Sequence, residues 1–220
     1  MGSRFPLKTR LKQLAIQAVR ECVEEGILRP NTVHPFTYIN SGDCTGSYIP
    51  WVEYEITEGD TLEVTFLAKG GGSEAPSSLK MLLPIEGLRG VKREVLRTVL
   101  DAGGKPCPPS IIGAGIGGTA VIAVRLAKKA LLRNMNKRHT ESEVVKLEHE
   151  LLDLVNQLGI GPMGMGGKTT VLDVRVEYSH RHPATLAVAI IFNCWALRKA
   201  SAKINPNGQV EYNANEVWTL

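Results

Sequence analysis

Two of the four cysteines lie where the backbone should be stiff. Cys107 lies between prolines, in the segment 105–109, and Cys194 ends a long apolar run. Soft metals and iron–sulfur clusters are bound by thiolates, and a rigid backbone fixes the positions of the sulfur atoms. These two residues are therefore candidate metal ligands, although two thiolates form an incomplete set. Cys22 and Cys44 lack such neighbours, and a lone cysteine is more often a small apolar side chain in the core.

Two cationic segments contain side chains that bind carboxylates. His180-Arg181-His182 follows a predicted strand and combines two imidazoles with a guanidinium, and Arg29 precedes Pro30 at a helix-to-loop junction. Guanidinium and imidazolium groups bind carboxylates through charge-assisted hydrogen bonds. A solvated loop explains the histidine segment equally well, and Arg29 alone carries no weight.

Glycine is abundant, with 22 residues against 3 tryptophans, 5 tyrosines and 4 phenylalanines. The glycines group at Gly70–Gly72, Gly113–Gly118 and Gly159–Gly167. The second group satisfies the GxGxxG pattern between a short predicted strand and a helix, which is typical of a dinucleotide-binding turn. The strand is short, and the stretch 134–138 is basic where an acidic residue is expected, so nicotinamide binding is disfavoured. An anion beside the following helix remains an open alternative.

Hydrophobic periodicity predicts the elements that position these residues. Helices are predicted over Leu7–Val23, 86–100 and 119–132, with a fourth from the capping-box pattern Thr140-Glu141-Ser142-Glu143. Strands are predicted as a hairpin over 52–56 and 62–66, as a short strand at 111–112, and over Leu172–Tyr178 and Leu186–Phe192.

The composition is that of a folded protein of ordinary charge. Of the 220 residues 43% are hydrophobic and 22% charged, which excludes disorder, collagen and coiled coil. A formal net charge of +4 gives no argument for nucleic acid or an anionic membrane surface as a partner. The cysteines form no CxxC pair, and no stretch reaches the roughly 18 apolar residues that span a bilayer. We therefore expect a cytoplasmic protein.

In their order along the chain, many short motifs resemble the α subunit of the iron–sulfur hydro-lyases, the family that contains class I fumarase and L-tartrate dehydratase. The resemblance runs from Gly2 to about Tyr212. The matching segments are 29–31, 41–46, 69–74, 107–109, 113–119, 127–130, 159–164, 182–184 and 194–196. It implies an α+β fold, with mixed sheets flanked by amphipathic helices, like the N-terminal domain of class I fumarase. Residues 1–220 are then one α-type catalytic domain, with a subdivision near 103–107 as an alternative.

The resemblance also implies a cofactor and a site. In the family, three cysteines hold a [4Fe–4S] cluster, and the fourth iron acts as a Lewis acid on the hydroxyl of a four-carbon dicarboxylate. Cys107 and Cys194 match the second and third cluster ligands. His182 matches a catalytic and substrate-binding position, and the other positions that match substrate contacts are Arg29, Gly70, Gly71 and Gly72.

The sequence departs from the family pattern in three places. The first cluster ligand of the family lies in a Cys-Gln-Asp-Thr-Gly segment that this sequence lacks, and Cys44 lies in a different motif. Ser73-Glu74-Ala75 stands where the family has Ser-Glu-Asn. Because residues 2–6 resemble interior sequence of the family, we expect an N-terminal truncation. The chain alone should then bind a cluster poorly and be inactive without a β-type partner subunit, with which an α–α dimer would form a heterotetramer.

The substrate is predicted less sharply than the reaction. The segment Lys69-Gly70-Gly71-Gly72-Ser73-Glu74 favours fumarate and malate within the family. An L-tartrate dehydratase α subunit is the alternative substrate class. A truncated, non-catalytic remnant that serves as a dimerising interaction domain is the alternative from a different functional class.

Overall fold

The computed structural model describes residues 1–6, 10–135 and 137–212, and it confirms the predicted α+β fold. In these residues the helices are α1 (Leu11–Glu24), α2 (Gly71–Glu74), α3 (Gly87–Ala102), α4 (Ala120–Leu132) and α5 (Ser142–Asn156). The strands are β1 (Leu62–Leu67), β2 (Ser78–Leu82), β3 (Ser110–Gly117), β4 (Val171–Ser179), β5 (Leu186–Asn193), β6 (Lys199–Ile204) and β7 (Val210–Tyr212). None of the helices in the described ranges is long and apolar enough to cross a membrane.

Tertiary contacts divide the chain into two units. The first comprises Met1–Val64 and Ala202–Glu211, and the second contains Thr65–Ser201. A three-stranded sheet has the order β1-β6-β7. The segment 103–107, where the sequence suggests a subdivision, lies inside the second unit.

The second unit is built on a four-stranded mixed sheet of order β2-β5-β3-β4. β3 and β4 are parallel, whereas β5 is antiparallel to both β2 and β3. Every residue of β5 is buried, as its continuous apolar run predicts. Because β3 and β5 run in opposite directions, the residues before β3 lie at the same end of the sheet as the residues after β5.

Helices cover both faces of this sheet. α3 and α5 pack on one face, around a core that includes Val95, Leu151 and Phe192. α4 packs on the other face, where Ala123 and Ala127 join a smaller apolar cluster. The small side chains of α4 face the glycines of β3 at this contact.

The glycines of the GxGxxG pattern explain that contact. Gly113 and Gly115 lie within β3, and a Cβ atom on them would come within 2.2 Å of the Ala127 oxygen and 1.9 Å of the Ala123 oxygen. The pattern therefore serves the packing of a helix on a strand, whereas a dinucleotide-binding motif needs its glycines in a turn. Predicting only a short strand at 111–112 was wrong, because the glycines continue the strand to Gly117.

Buried charges tie α5 to β4 and to the end of α4. Glu148 of α5 is fully buried, pairs with Arg133 and accepts a hydrogen bond from the Val176 amide at 2.9 Å. Asp173 pairs with Arg175 at 2.8 Å and with Arg138 at 2.6 Å. Charged residues on buried strand and helix positions are thus paired with one another.

Two local predictions fail. The alternating segment 52–56 is not a strand: β1 pairs with β6, and the Thr57 amide donates to the Met1 oxygen at 3.0 Å. The capping box is also wrong, because Glu141 precedes α5 without a side-chain cap and accepts hydrogen bonds from the Tyr178 hydroxyl instead. α1 is confirmed from Leu11 onward, whereas residues 7–9 of the predicted helix lie outside the described residues.

Candidate functional site

The two candidate ligand cysteines meet at one end of the four-stranded sheet, which we call the cysteine end. Cys107 lies just before β3 and Cys194 directly after β5, and the register pairs Ile111 with Asn193. The Trp195 amide donates a hydrogen bond to the Cys107 oxygen at 3.3 Å. The two cysteine segments, distant in sequence, are therefore neighbours in the fold.

Cys107 is held in an uncommon backbone conformation. Its φ is +55°, in the left-handed region that non-glycine residues rarely adopt, and its amide donates to the Gly104 oxygen at 3.1 Å. Pro106 and Pro108 on either side are buried, while Cys107 itself is exposed. Such strain persists where the surrounding structure over-determines the backbone, which is common at functional sites. The thiol is thus presented to solvent from a rigid turn.

Cys194 begins a second turn at the same end. Its amide donates to Asn193 Oδ1 at 3.1 Å, and its oxygen accepts a hydrogen bond from the Leu197 amide at 3.1 Å. Asn193 is fully buried, and within the described part of the chain its Nδ2 has no hydrogen-bond partner. A buried amide donor without an acceptor lowers the stability of the fold by about 1–3 kcal/mol.

A glycine turn, Gly70–Glu74, packs against the Cys107 segment. The amides of Ser73 and Glu74 both donate to the Gly70 oxygen at 3.2 Å, and the Ser73 hydroxyl donates to it at 3.0 Å. A Cβ atom on Gly72 would lie 2.6 Å from the Lys105 oxygen. Only glycine therefore permits this approach of the two backbones, which places the glycine turn beside a candidate metal ligand.

Lys69 links the glycine turn to the end of β5. Its Nζ donates to the Phe192 oxygen at 2.5 Å and to the Ser73 oxygen at 3.2 Å, and it pairs with Glu74 at 2.7 Å. The Lys69 side chain is only 11% exposed. One buried ammonium group thus contacts two segments that carry candidate site residues.

The electrostatics of this ion pair follow from its burial. Desolvation lowers the pKa of Lys69, although the hydrogen bond and charge of Glu74 and the nearby Cys194 act in the opposite direction. Burial raises the pKa of Glu74, but the hydrogen bond and charge of Lys69, together with Lys128, more than offset this and leave it below its usual value. Lys128 lies 3.5 Å from Glu74 and is half-exposed.

His182 lies at the opposite end of the sheet, which we call the histidine end. It belongs to the loop between β4 and β5, whereas Cys194 follows β5. An eight-residue strand spans about 25 Å, so β5 separates His182 from Cys194 within one chain. His182 is exposed, and its Nδ1 accepts a hydrogen bond from the Ala184 amide at 3.1 Å.

Arg29 lies in the first unit, whereas the two cysteines and the glycine turn lie in the second. Its side chain is exposed, and its backbone oxygen accepts a hydrogen bond from Cys44 Sγ at 2.7 Å. Cys44 itself has a φ of +57°. Cys44 therefore has a local partner in the segment that carries Arg29.

Comparison with known proteins gives the family. A family model described as "Fumarate hydratase (Fumerase)" matches residues 1–203. The chain belongs to this family. A Methanocaldococcus jannaschii protein provisionally named L(+)-tartrate dehydratase subunit alpha is 48% identical over 190 residues, which are 86% of this chain and 67% of the relative. The L(+)-tartrate dehydratase subunit alpha of Escherichia coli K12 is 37% identical over 206 residues, 93% of this chain and 68% of the relative, and that of Shigella sonnei has the same values.

Within this fumarase-family chain, the donor set suits an iron–sulfur cluster in part. Cys107 and Cys194 offer two soft thiolates on neighbouring turns. Among the described residues, no group of three or more His, Cys, Asp and Glu side chains is arranged to hold a metal ion. The described residues therefore bring two thiolates to the cysteine end, which is an incomplete ligand set.

Two residues of the cysteine end have roles that the sequence does not reveal. Lys69 begins the matching segment 69–74, but its contact with Phe192 depends on the pairing of distant segments. Asn193 directly precedes Cys194. Its position as a polar residue at the end of an apolar strand is the feature of the sequence that could have identified it.

Proposed function

We propose that the chain is the α subunit of an iron–sulfur hydro-lyase that removes water from L(+)-tartrate. The names of the matching relatives support this substrate and the α-subunit role. The observation that carries the proposed chemistry is the hydrogen bond between the Trp195 amide and the Cys107 oxygen, because it brings Cys107 and Cys194 together.

Fumarate and malate are the second candidate substrates. The family model is described by fumarate hydratase, and the segment 69–74 favours that branch on sequence grounds. Because the matching relatives carry the tartrate dehydratase name, we place L(+)-tartrate first. Both reactions remove or add water on a four-carbon dicarboxylate, so the same site residues serve either substrate.

The two cysteines and the glycine turn each have a proposed task in this chemistry. A [4Fe–4S] cluster with one iron not bound by protein supplies a Lewis acid for the hydroxyl that leaves. Cys107 and Cys194 would hold the cluster. The first amide that donates a hydrogen bond within the glycine turn is that of Ser73. We propose that the preceding amides, of the exposed residues Gly71 and Gly72, bind a substrate carboxylate.

The third thiolate, the base and the further cationic contacts are not assigned to residues of the cysteine end. We propose that the third cluster thiolate comes from outside this group of residues, and that a β-type partner subunit supplies the base and further cationic contacts. The isolated chain is then inactive. His182 is not assigned to the cysteine end of its own chain, because β5 separates the two.

The proposal is tested on the complex of this chain with a β-type subunit after anaerobic reconstitution. We expect Cys107→Ser and Cys194→Ser to lower iron and sulfide content and to reduce L(+)-tartrate turnover at least about 100-fold. Cys22→Ser, a partly buried cysteine of α1, is the matched control and should leave both within about twofold.

Assays with malate and fumarate on the same preparations rank the substrates. A complex with full iron content that turns over none of the three acids would contradict the hydro-lyase proposal and favour the non-catalytic interaction domain. A four-iron cluster that is stable in both cysteine variants would contradict the ligand assignment.

A further inference from the structure

Lys69, which directly precedes the glycine turn, combines burial, charge and main-chain contacts. Its side chain is only 11% exposed, and its ammonium group pairs with the carboxylate of half-exposed Glu74. Burying an ammonium group is costly unless its protons are hydrogen-bonded. Two backbone oxygens, of Ser73 and Phe192, meet this need.

The two oxygens belong to segments with different tasks. Ser73 closes the glycine turn, and Phe192 lies two residues before Cys194 on β5. Backbone oxygens are fixed by the fold, so a cation that joins two of them sets the distance between their segments. We propose that Lys69 is a positioning residue that locks the glycine turn to the cysteine-bearing end of β5.

A second close contact fixes the glycine turn on its other side. Gly72 already lies against Lys105, so the turn touches the Cys107 segment on one side. Lys69 fastens the same turn to the Cys194 segment. The glycine amides are thus held in a fixed place relative to both candidate cluster ligands. That these amides bind substrate rests on the proposed function, whereas the lock itself rests on the hydrogen bonds alone.

Lys69→Met removes the ammonium group and keeps an unbranched apolar chain of four heavy atoms. In the full chain, we expect amide hydrogen exchange in a peptide covering residues 70–77 to become at least about tenfold faster. Lys128→Met is the matched control, because Lys128 also contacts Glu74 but is half-exposed and reaches it only at 3.5 Å. It should change this exchange by less than about twofold.

If Lys69→Met does not fold, Glu74→Gln is the second variant that tests the proposal. Without its carboxylate partner, Lys69 is held less firmly, and exchange in the same peptide should rise by about two- to threefold. Unchanged exchange in folded Lys69→Met, or in Glu74→Gln, would overturn the lock.

Kinetics of the reconstituted complex separate positioning from general stability. Lys69→Met should raise KM for the dicarboxylate at least about tenfold while kcat stays within about threefold and iron content is unchanged. Faster exchange with an unaltered KM would overturn the positioning role. A wild-type complex without activity contradicts the proposed function, and the exchange result then decides the lock on its own.

Discussion

The loops at the two ends of the four-stranded sheet are held in different ways. At the cysteine end, hydrogen bonds join segments that are far apart in sequence: the Trp195 amide reaches Cys107, the Met163 amide reaches Pro108, and Lys69 reaches Phe192. The geometry of this end therefore depends on the assembled fold.

At the histidine end, the loop between β4 and β5 is closed by hydrogen bonds within itself. Arg181 Nη1 donates to the oxygens of His182, Pro183 and Thr185 at 3.1, 3.1 and 2.9 Å. The guanidinium that the sequence offers as a carboxylate ligand is therefore engaged in shaping the turn. A single substitution at the cysteine end should therefore alter the stability of several loops. A substitution in the loop between β4 and β5 should alter that loop alone.

The largest effect is expected where the glycine turn meets the Cys107 segment. In Gly72→Ala the new methyl group would lie 2.6 Å from the Lys105 oxygen, and a backbone atom cannot move away cheaply. We expect the free energy of unfolding to fall by about 1–3 kcal/mol, the cost of overpacking. Urea denaturation followed by circular dichroism measures this.

Gly71→Ala is the matched control, because nothing lies within 4 Å of a Cβ atom there. Its free energy of unfolding should stay within about 0.5 kcal/mol of the wild type. Equal stability of the two variants would show that the glycine turn does not pack on the Cys107 segment as described.

A smaller and local effect is expected at the histidine end. Arg181→Met removes the donor that closes the loop between β4 and β5, and we expect a loss of about 0.5–1.5 kcal/mol. Hydrogen exchange should rise at the Thr185 amide, which donates to the His182 oxygen, but not in the glycine turn. Arg97→Met, an exposed arginine of α3, controls for the loss of charge. Faster exchange in the glycine turn of Arg181→Met would refute the independence of the two ends.

Sequence reasoning recovered those elements whose signals are local. α4 and β5 follow from periodicity and an apolar run, and Thr119 caps α4 through the Ile122 amide. Cys107 and Cys194 could be singled out because stiff neighbours are visible in the sequence. Their meeting at one end of the sheet follows from the antiparallel pairing of β3 with β5, which no local pattern specifies.

Other features depend on partners that the sequence does not show. Gly113 and Gly115 match a phosphate-binding pattern, yet the atoms that require glycine belong to α4. The segment 52–56 alternates like a strand but has no neighbouring strand to pair with in the described residues. His182 matches a family position, but the length of β5 separates it from the cysteine end of its own chain.

The smallest expected effect is on acid stability at the cysteine end. The pKa of Glu74 lies below its usual value in the folded chain: burial raises it, but Lys69 and Lys128 more than offset burial. A depressed carboxyl pKa contributes stability that is complete above the unfolded pKa, near 4.5, and is lost as pH falls through the folded value. Because Glu74 is half-exposed, this contribution should be below about 1 kcal/mol.

Glu74→Gln lacks that contribution at every pH. The stability difference between wild type and Glu74→Gln should therefore be complete at about pH 6 and smaller at about pH 3. The difference between wild type and Arg181→Met should stay constant over this window, because Arg181 bonds to backbone oxygens and not to a carboxylate. Urea titrations at the two pH values measure both differences. If the Glu74→Gln difference grows on acidification, the ion pair between Lys69 and Glu74 is not what stabilises this end, and the contrast between the ends would then rest on the main-chain hydrogen bonds alone.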